Sequence, residues 1–300
     1  LEKHTLSLKT TYEAIKIRNV ILENFENILN SGGSADEGLF NIVVVGGGPT
    51  GVELSGAFAE IRRDILPKDF PGIDFSRLNI YLLEGGKNTL GTMSPLAQKS
   101  SEKYLKGLGV NLRTGVFVRN YDGSTLQLSN GEFLRSKNVI WTAGITGNII
   151  NGLSPEVITK VNRITVDRMN RVAGYENIYA IGDIACMETP KYPKGHPQVA
   201  NVAINQGRNL ARNFNRMLKG RKPVEYEYRD LGSMATVGRN KAIVDLPLVS
   251  FHGYLAWYFW MFLHLMLILS VRNKLIIFIN LAWNYITKNS SLRLILKMDS

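Results

Sequence analysis

An α/β fold built on a parallel sheet, with a second part of the same kind and an amphipathic helical tail, is what this sequence predicts. Three observations carry the prediction. The apolar run NIVVV (41–45) opens into GGGPTG and then a helical stretch, LNIYLLE (78–84) is a second apolar run of strand length, and no Asp, Glu, Lys or Arg occurs from Leu246 to Val271. With 300 residues and 45% apolar content, the chain is long enough for about two domains.

The elements follow in order. Residues 7–30 place Tyr12, Ile15, Ile17, Val20, Ile21, Phe25, Ile28 and Leu29 at helical spacing, and SGGSADEG ends that helix as a glycine-rich linker. NIVVV reads as a buried strand, GGGPTG as a tight turn and VELSGAFAEIRRDI as the helix behind it. After an insertion rich in Pro, Asp and Gly (67–76), residues 78–84 make a second strand and SPLAQKSSEKYLKGLG a helix. VNLRTGVFVRNYDGSTLQLSNGEFLRSKNVIWTAG then reads as short strands joined by Asp-Gly and Asn-Gly turns. Further on, ITVDRMNRVAGYENIYAIGDIA holds strands, HPQVANVAINQGRNLARNFNRMLKG a helix and RDLGSMATVGRNKAIVDL a hairpin.

Charge and cysteine usage narrow the classes. Residues 1–190 hold 20 basic and 20 acidic side chains, so the net charge of +11 comes from the rest of the chain. The excess flanks an aromatic-rich apolar segment, which fits a lipid bilayer surface better than a nucleic acid. Cys186 is the single cysteine; it excludes an intrachain disulfide, a CxxC pair and a thiolate zinc cluster, and no metal site is expected. Beside the Gly182–Asp183 pair it reads as a small packed side chain, and His196 and His264 likewise read as packed rather than catalytic.

Gly46, Gly48 and Gly51 satisfy GxGxxG within a turn completed by Gly47, Pro49 and Thr50. The first glycine permits the sharp turn, the second lets a pyrophosphate approach bare backbone, and the third lets the helix pack on the sheet. Glu84 ends the second strand 33 residues after Gly51. The usual spacing is about 20, and the 67–76 insertion accounts for most of the excess. A carboxylate there accepts from both ribose hydroxyls and repels a 2′-phosphate, favouring NADH over NADPH.

With GGGPTG, the strand WTAG (141–144) and YAIGD (179–183) in place, the chain resembles the flavoproteins with two dinucleotide-binding domains. The resemblance implies that Ala143 and Gly144 line the cofactor region and that Asp183, after Gly182, binds the ribitol of FAD; without it, an Asp at the start of a helix reads as a cap. HPQVANVAINQGRNLARN, MATVGRNKAIVDL and GYLAWYFWMFLHLMLILSVRNKL further resemble the C-terminal half of type II NADH dehydrogenases, the non-pumping NADH:quinone oxidoreductases. Val199, Ala200 and Asn201 then lie on the quinone-side helix; Asn201 stands where the family has Gln, and Asn205 replaces a second common Gln.

The fold class implied is α/β, with two Rossmann-like dinucleotide-binding domains, the FAD domain incomplete here, and a C-terminal amphipathic helical membrane anchor. No GxGxxG precedes Gly46, so residues 1–38 are expected to be a remnant of the FAD domain with an upstream portion absent. Residues 39–144 are then the NADH domain, 145–245 the C-terminal part of the FAD domain and 246–300 the anchor. The activity implied is hydride transfer from NADH to FAD, then two-electron reduction of a membrane quinone. A homodimer is expected, at the bacterial inner membrane's cytoplasmic face or the mitochondrial inner membrane.

Glu53 has two readings. It is either a charge favourable to the helix dipole or, as the resemblance implies, a proton relay at the flavin–quinone junction. The tail reads as two helices, 254–270 and the stretch containing LIIFINLAWNYI, separated by Arg272–Lys274. They lie in the interface with Trp257, Trp260 and Trp283 at headgroup depth, in preference to a span. A sulfide:quinone or disulfide reductase and a noncatalytic NADH-binding fragment are the alternatives.

Overall fold

The computed structural model describes residues 1–31, 36–148, 150–268 and 270–287. Part of the expected linker (32–35) and the end of the expected tail (288–300) lie outside the described residues. The chain divides into two compact units, Leu1–Ala143 with Leu231–Ser300, and Gly144–Asp230.

In chain order the first unit opens with β1 (Leu6–Ser7), α1 (Thr11–Asn30), β2 (Asn41–Val45), α2 (Pro49–Asp64), α3 (Leu66–Asp69), β3 (Asn79–Glu84) and α4 (Pro95–Gly107). It continues through β4 (Asn111–Thr114), β5 (Val118–Tyr121), β6 (Thr125–Leu128), β7 (Phe133–Arg135) and β8 (Asn138–Trp141). Five strands form a parallel sheet in the order β1-β8-β2-β3-β4. Parallel strands are covered on both faces, so their sequences run apolar rather than alternating. Here Ile42, Val44, Ile80 and Leu82 pack with Phe25, Val52 and Phe58 from the helices. Val43, Val45 and Leu83 pack on the opposite side with Tyr121, Leu126 and Leu128 of the β5–β6–β7 meander.

Two expectations change here. The first helix starts at Thr11, where Thr10 and Glu13 form a capping box, because Leu6 and Ser7 pair instead with Ile140 and Trp141. Residues 6–30 pack with this sheet in the first unit. β1 is the edge strand of this sheet, and α1 buries Ile17, Ile21, Leu22, Phe25 and Ile28 in its core. The 67–76 insertion also carries structure: Phe70 and Phe75 are buried, with rings 5.7 and 5.3 Å edge-on from that of Phe25.

The second unit contains the parallel pair β9 (Ile164–Val166) and β10 (Ala185–Met187), and α5 (Ala200–Leu218). Ile164, Val166, Val172, Ala185, Met187, Val202, Tyr226 and Tyr228 share its core.

The chain then returns to the first unit with β11 (Ser233–Gly238), β12 (Lys241–Asp245) and β13 (Ser250–Gly253), an antiparallel sheet, followed by α6 (Tyr254–Leu267) and α7 (Val271–Thr287). Residues 231–245, expected with 145–230, fall in the first unit. Ala235, Val237 and Ile243 of the hairpin belong to the same core as Val52 and Phe58 of α2, and residues 250–253 extend the hairpin rather than starting an anchor. The division between the tail helices also moves: α6 ends at Leu267, and Arg272–Lys274 lie inside the first turns of α7. Trp257 and Trp260 pack partly against Ala242, Val244 and Ala256, while Trp283 is exposed. Among the described residues no helix is long and apolar enough to cross a membrane.

Candidate functional site

The turn from β2 into α2 shows why each glycine is needed. Gly46 has φ +112°, and a Cβ there would sit 2.8 Å from the Ala143 backbone, so the chain can turn this tightly beside β8 only without a side chain. At Gly51 a Cβ would overlap the Gly46 carbonyl oxygen and come 2.8 Å from Thr142 Oγ1, because the first turn of α2 lies directly on the strand end. Gly48 is different: a Cβ there meets nothing within 4 Å, leaving open space over the start of α2. Gly48 is the N-cap and supplies no side-chain cap, and Pro49 is the first helical residue. The helix start therefore presents backbone and dipole to an anion; Thr50 lies in the same first turn.

Glu84 closes the turn from the neighbouring strand. The Gly47 N–H donates to its Oε2 at 2.5 Å and the Gly86 N–H to its Oε1 at 2.6 Å. A Cβ at Gly47 would approach Glu84 Oε2 to 2.8 Å. The structure thus brings together Gly46, Gly47, Gly48, Gly51, Glu84 and Ala143. Sequence reasoning missed Thr142, which fastens β8 to the turn by donating from Oγ1 to the Val45 and Gly46 carbonyls at 2.9 and 3.2 Å. Its signal was its place in WTAG.

Glu53 is the fifth residue of α2, beyond the first turn, so the simple dipole reading does not apply to it. Its Oε1 accepts the Thr236 N–H of β11 at 3.1 Å. Burial raises its carboxyl above the ordinary range, opposed by that hydrogen bond and by the charge of His264. Gly56, one turn further on, lets the helix touch the same strand: a Cβ there would lie 2.6 Å from the Val237 carbonyl carbon. Glu53 and Gly56 place α2 on β11, β11 pairs with β12, and β12 shares a small core with α6.

In the second unit, Gly182 takes φ +72° and opens a one-turn 3-10 helix, Gly182–Ile184, that leaves the Asp183 carboxyl group exposed. The Gly182 N–H donates to Gln206 Oε1 at 2.7 Å, and Gln198 Nε2 donates to the Asp183 carbonyl at 3.0 Å, so α5 and the segment before it hold the Gly-Asp turn. Asp183 does not cap α5; Val199 is its N-cap and gives no side-chain bond, with Ala200 beside it exposed. Asn205 Nδ2 donates to Asn201 Oδ1 at 2.6 Å, so these two amides pair with each other. Gly144 is the first residue of this unit.

His196 is wholly buried, with the Tyr192 and Tyr226 rings 5.2 and 5.4 Å away and Nε2 3.4 Å from Glu227 Oε1. Burial lowers its basicity below the ordinary value despite Glu227, which suits a packed neutral imidazole. His264 stacks on Trp260 with ring centroids 4.2 Å apart. Cys186 is buried, and burial pushes its thiol up.

Residues 16–207 match the family model described as pyridine nucleotide-disulphide oxidoreductase. The chain belongs to that family. Residues 231–288 match the family model described as NDH2 C-terminal domain. The chain is 31% identical over 284 residues to the type II NADH:quinone oxidoreductase Ndh of Mycobacterium tuberculosis, covering 89% of this chain and 59% of that relative. It is 30% identical over 300 residues to the mitochondrial internal alternative NAD(P)H-ubiquinone oxidoreductase A1 of Arabidopsis thaliana, covering 93% of this chain and 58% of that relative. The chain thus spans about three fifths of the length of these relatives. A solved structure of NDH2 from Plasmodium falciparum in complex with NADH shares the fold, with a TM-score of 0.84 at 20% identity over 99% of this chain and 75% of that one.

Proposed function

We propose that the protein is an FAD-dependent NADH:quinone oxidoreductase that takes a hydride from NADH, delivers two electrons to a membrane quinone and moves no protons across the membrane. The observation that carries this reading is the path Glu53 makes within the first unit. The helix that starts at the glycine turn is fastened through this carboxylate to the sheet supporting the aromatic tail helices. One end of that path suits a dinucleotide and the other an apolar electron acceptor.

The residues fit the cofactors by their own chemistry. The open backbone at Gly48 and the dipole of α2 would hold the NADH pyrophosphate, with Gly46, Gly47, Pro49, Thr50 and Gly51 shaping the turn. Glu84 would exchange its contacts with Gly47 and Gly86 for the ribose hydroxyls, and Ala143 and Gly144 would flank the nicotinamide side. Gly182 and Asp183 would hold the FAD ribitol, while Val199 and Ala200 at the uncapped start of α5 would face the flavin. Bound flavin supplies the two-electron chemistry.

Quinone reduction also consumes two protons. A Glu53 carboxyl whose proton affinity burial raises would act as the proton relay, and Asn201 would donate a hydrogen bond to the quinone. The exposed Phe262, Leu267, Ile276 and Trp283 of α6 and α7 suit a monotopic seat in the bilayer interface, with part of that surface covered by a second copy. The purified protein supplied with FAD should oxidise NADH only when a quinone is added, and should float with liposomes. A preparation that binds NADH but neither retains flavin nor reduces quinone would favour the noncatalytic alternative.

A further inference from the structure

β3 ends at Glu84 and runs on into Gly85 and Gly86, and the segment leaving β4 is laid against this end: the Gly115 N–H donates to the Gly86 carbonyl at 2.8 Å and the Val116 N–H to the Glu84 carbonyl at 3.0 Å. The next residue, Phe117, is held at both backbone groups. Its N–H donates to Ser129 Oγ at 3.0 Å, and its carbonyl accepts the Ser129 N–H at 2.8 Å. One edge of its ring lies along Gly85, where a Cβ would come within 2.7 Å of Cδ1 and overlap Cε1. The residue is nevertheless 63% exposed.

A lone exposed phenylalanine is ordinary on a protein surface. This one combines a fixed backbone, a glycine seat and a position beside the carboxylate that would take the ribose. In a dinucleotide the base is joined to that ribose, so a base leaving the Glu84 carboxylate on the side of Gly85 and Gly86 meets an apolar aromatic surface. We infer that Phe117 is the stacking platform for the adenine ring of the nicotinamide dinucleotide. The inference rests on the NADH reading above and extends it to the part of the ligand that takes no role in the chemistry. Base–aromatic stacking selects for a flat π-system without reading hydrogen-bond donors and acceptors.

Fluorescence titrations of NADH and of reduced nicotinamide mononucleotide, which lacks the adenosine half, on the parent, F117A and F117W test it, with ADP-ribose as competitor. F117A should weaken NADH and ADP-ribose about five- to tenfold and leave the mononucleotide unchanged, and F117W should restore the parent affinities. Unchanged NADH binding by F117A, or equal losses for NADH and the mononucleotide, overturns the platform while leaving the NADH reading intact. A parent that binds neither NADH nor ADP-ribose overturns both.

Discussion

α2 starts at the Gly46–Gly51 turn and α5 holds the Gly182–Asp183 turn, yet α2 buries mostly small and apolar side chains and α5 mostly amides. α2 lays Gly51, Val52, Ser55, Gly56, Phe58 and Ala59 against its neighbours, and its glycines let backbone meet backbone. α5 buries Gln206, Asn209 and Asn213 beside a single apolar residue, Val202, and leaves Ile204, Phe214 and Leu218 exposed. Its buried amides are used: Gln206 accepts from Gly182, Asn209 and Asn213 donate to the Val224 carbonyl, and the Val224 N–H donates back to Asn213. The first turn combines steric fit with hydrogen bonds from Gly47 and Thr142, and the second rests on hydrogen bonds to α5, so the two should fail differently.

Gly51→Ala should cause the largest damage, because the added methyl overlaps backbone that has no side chain to move aside. Overpacking of this kind costs about 1–3 kcal/mol or more, read by urea unfolding, and NADH binding should be lost with it. Gln206→Leu should do less. It keeps the volume but leaves the Gly182 N–H without its acceptor, a loss of about 1–2 kcal/mol, with flavin retention falling while NADH affinity holds. Loss of NADH affinity in the Gln206 variant would erase the distinction between the turns.

Glu53→Gln should have the smallest effect on stability and the most informative one. The folded carboxyl titrates above its unfolded value near 4.5, so the folded chain binds that proton more tightly. Its contribution to stability is therefore whole below about pH 4 and is lost as pH rises through the folded value. Glutamine keeps an acceptor for Thr236 and carries no charge. The variant should be more stable than the parent at pH 7, by less than about 1 kcal/mol, and equal to it at pH 4, while quinone reduction slows. Full quinone-linked turnover would remove the proton role.

What was legible in the sequence follows the same division. The strands 41–45 and 79–84, the glycine turn and Glu84 announce themselves because parallel-sheet burial needs apolar runs and the turn needs glycine. β1 could not be read: two residues pair with a strand more than a hundred positions away, and no local pattern records that. The same holds for Glu53 with Thr236, Gly56 with Val237 and Gln206 with Gly182. Each is a contact whose partner is chosen by the fold, and in α5 the periodicity that normally marks a core face marks the exposed one. The same long-range choice puts Leu6–Ser7 and the 233–245 hairpin in the first unit, where no local pattern could announce them.

In the proposed NADH site the Glu84 carboxylate is the acceptor for the ribose hydroxyls. The direct measurement is the ratio of NADPH to NADH dissociation constants for the parent and for Glu84→Gln. The parent should bind NADPH at least about tenfold more weakly, since a 2′-phosphate is set against a carboxylate, and the neutral variant should lose most of that preference. Equal affinities in the parent, or a preference that survives in Glu84→Gln, would contradict that role.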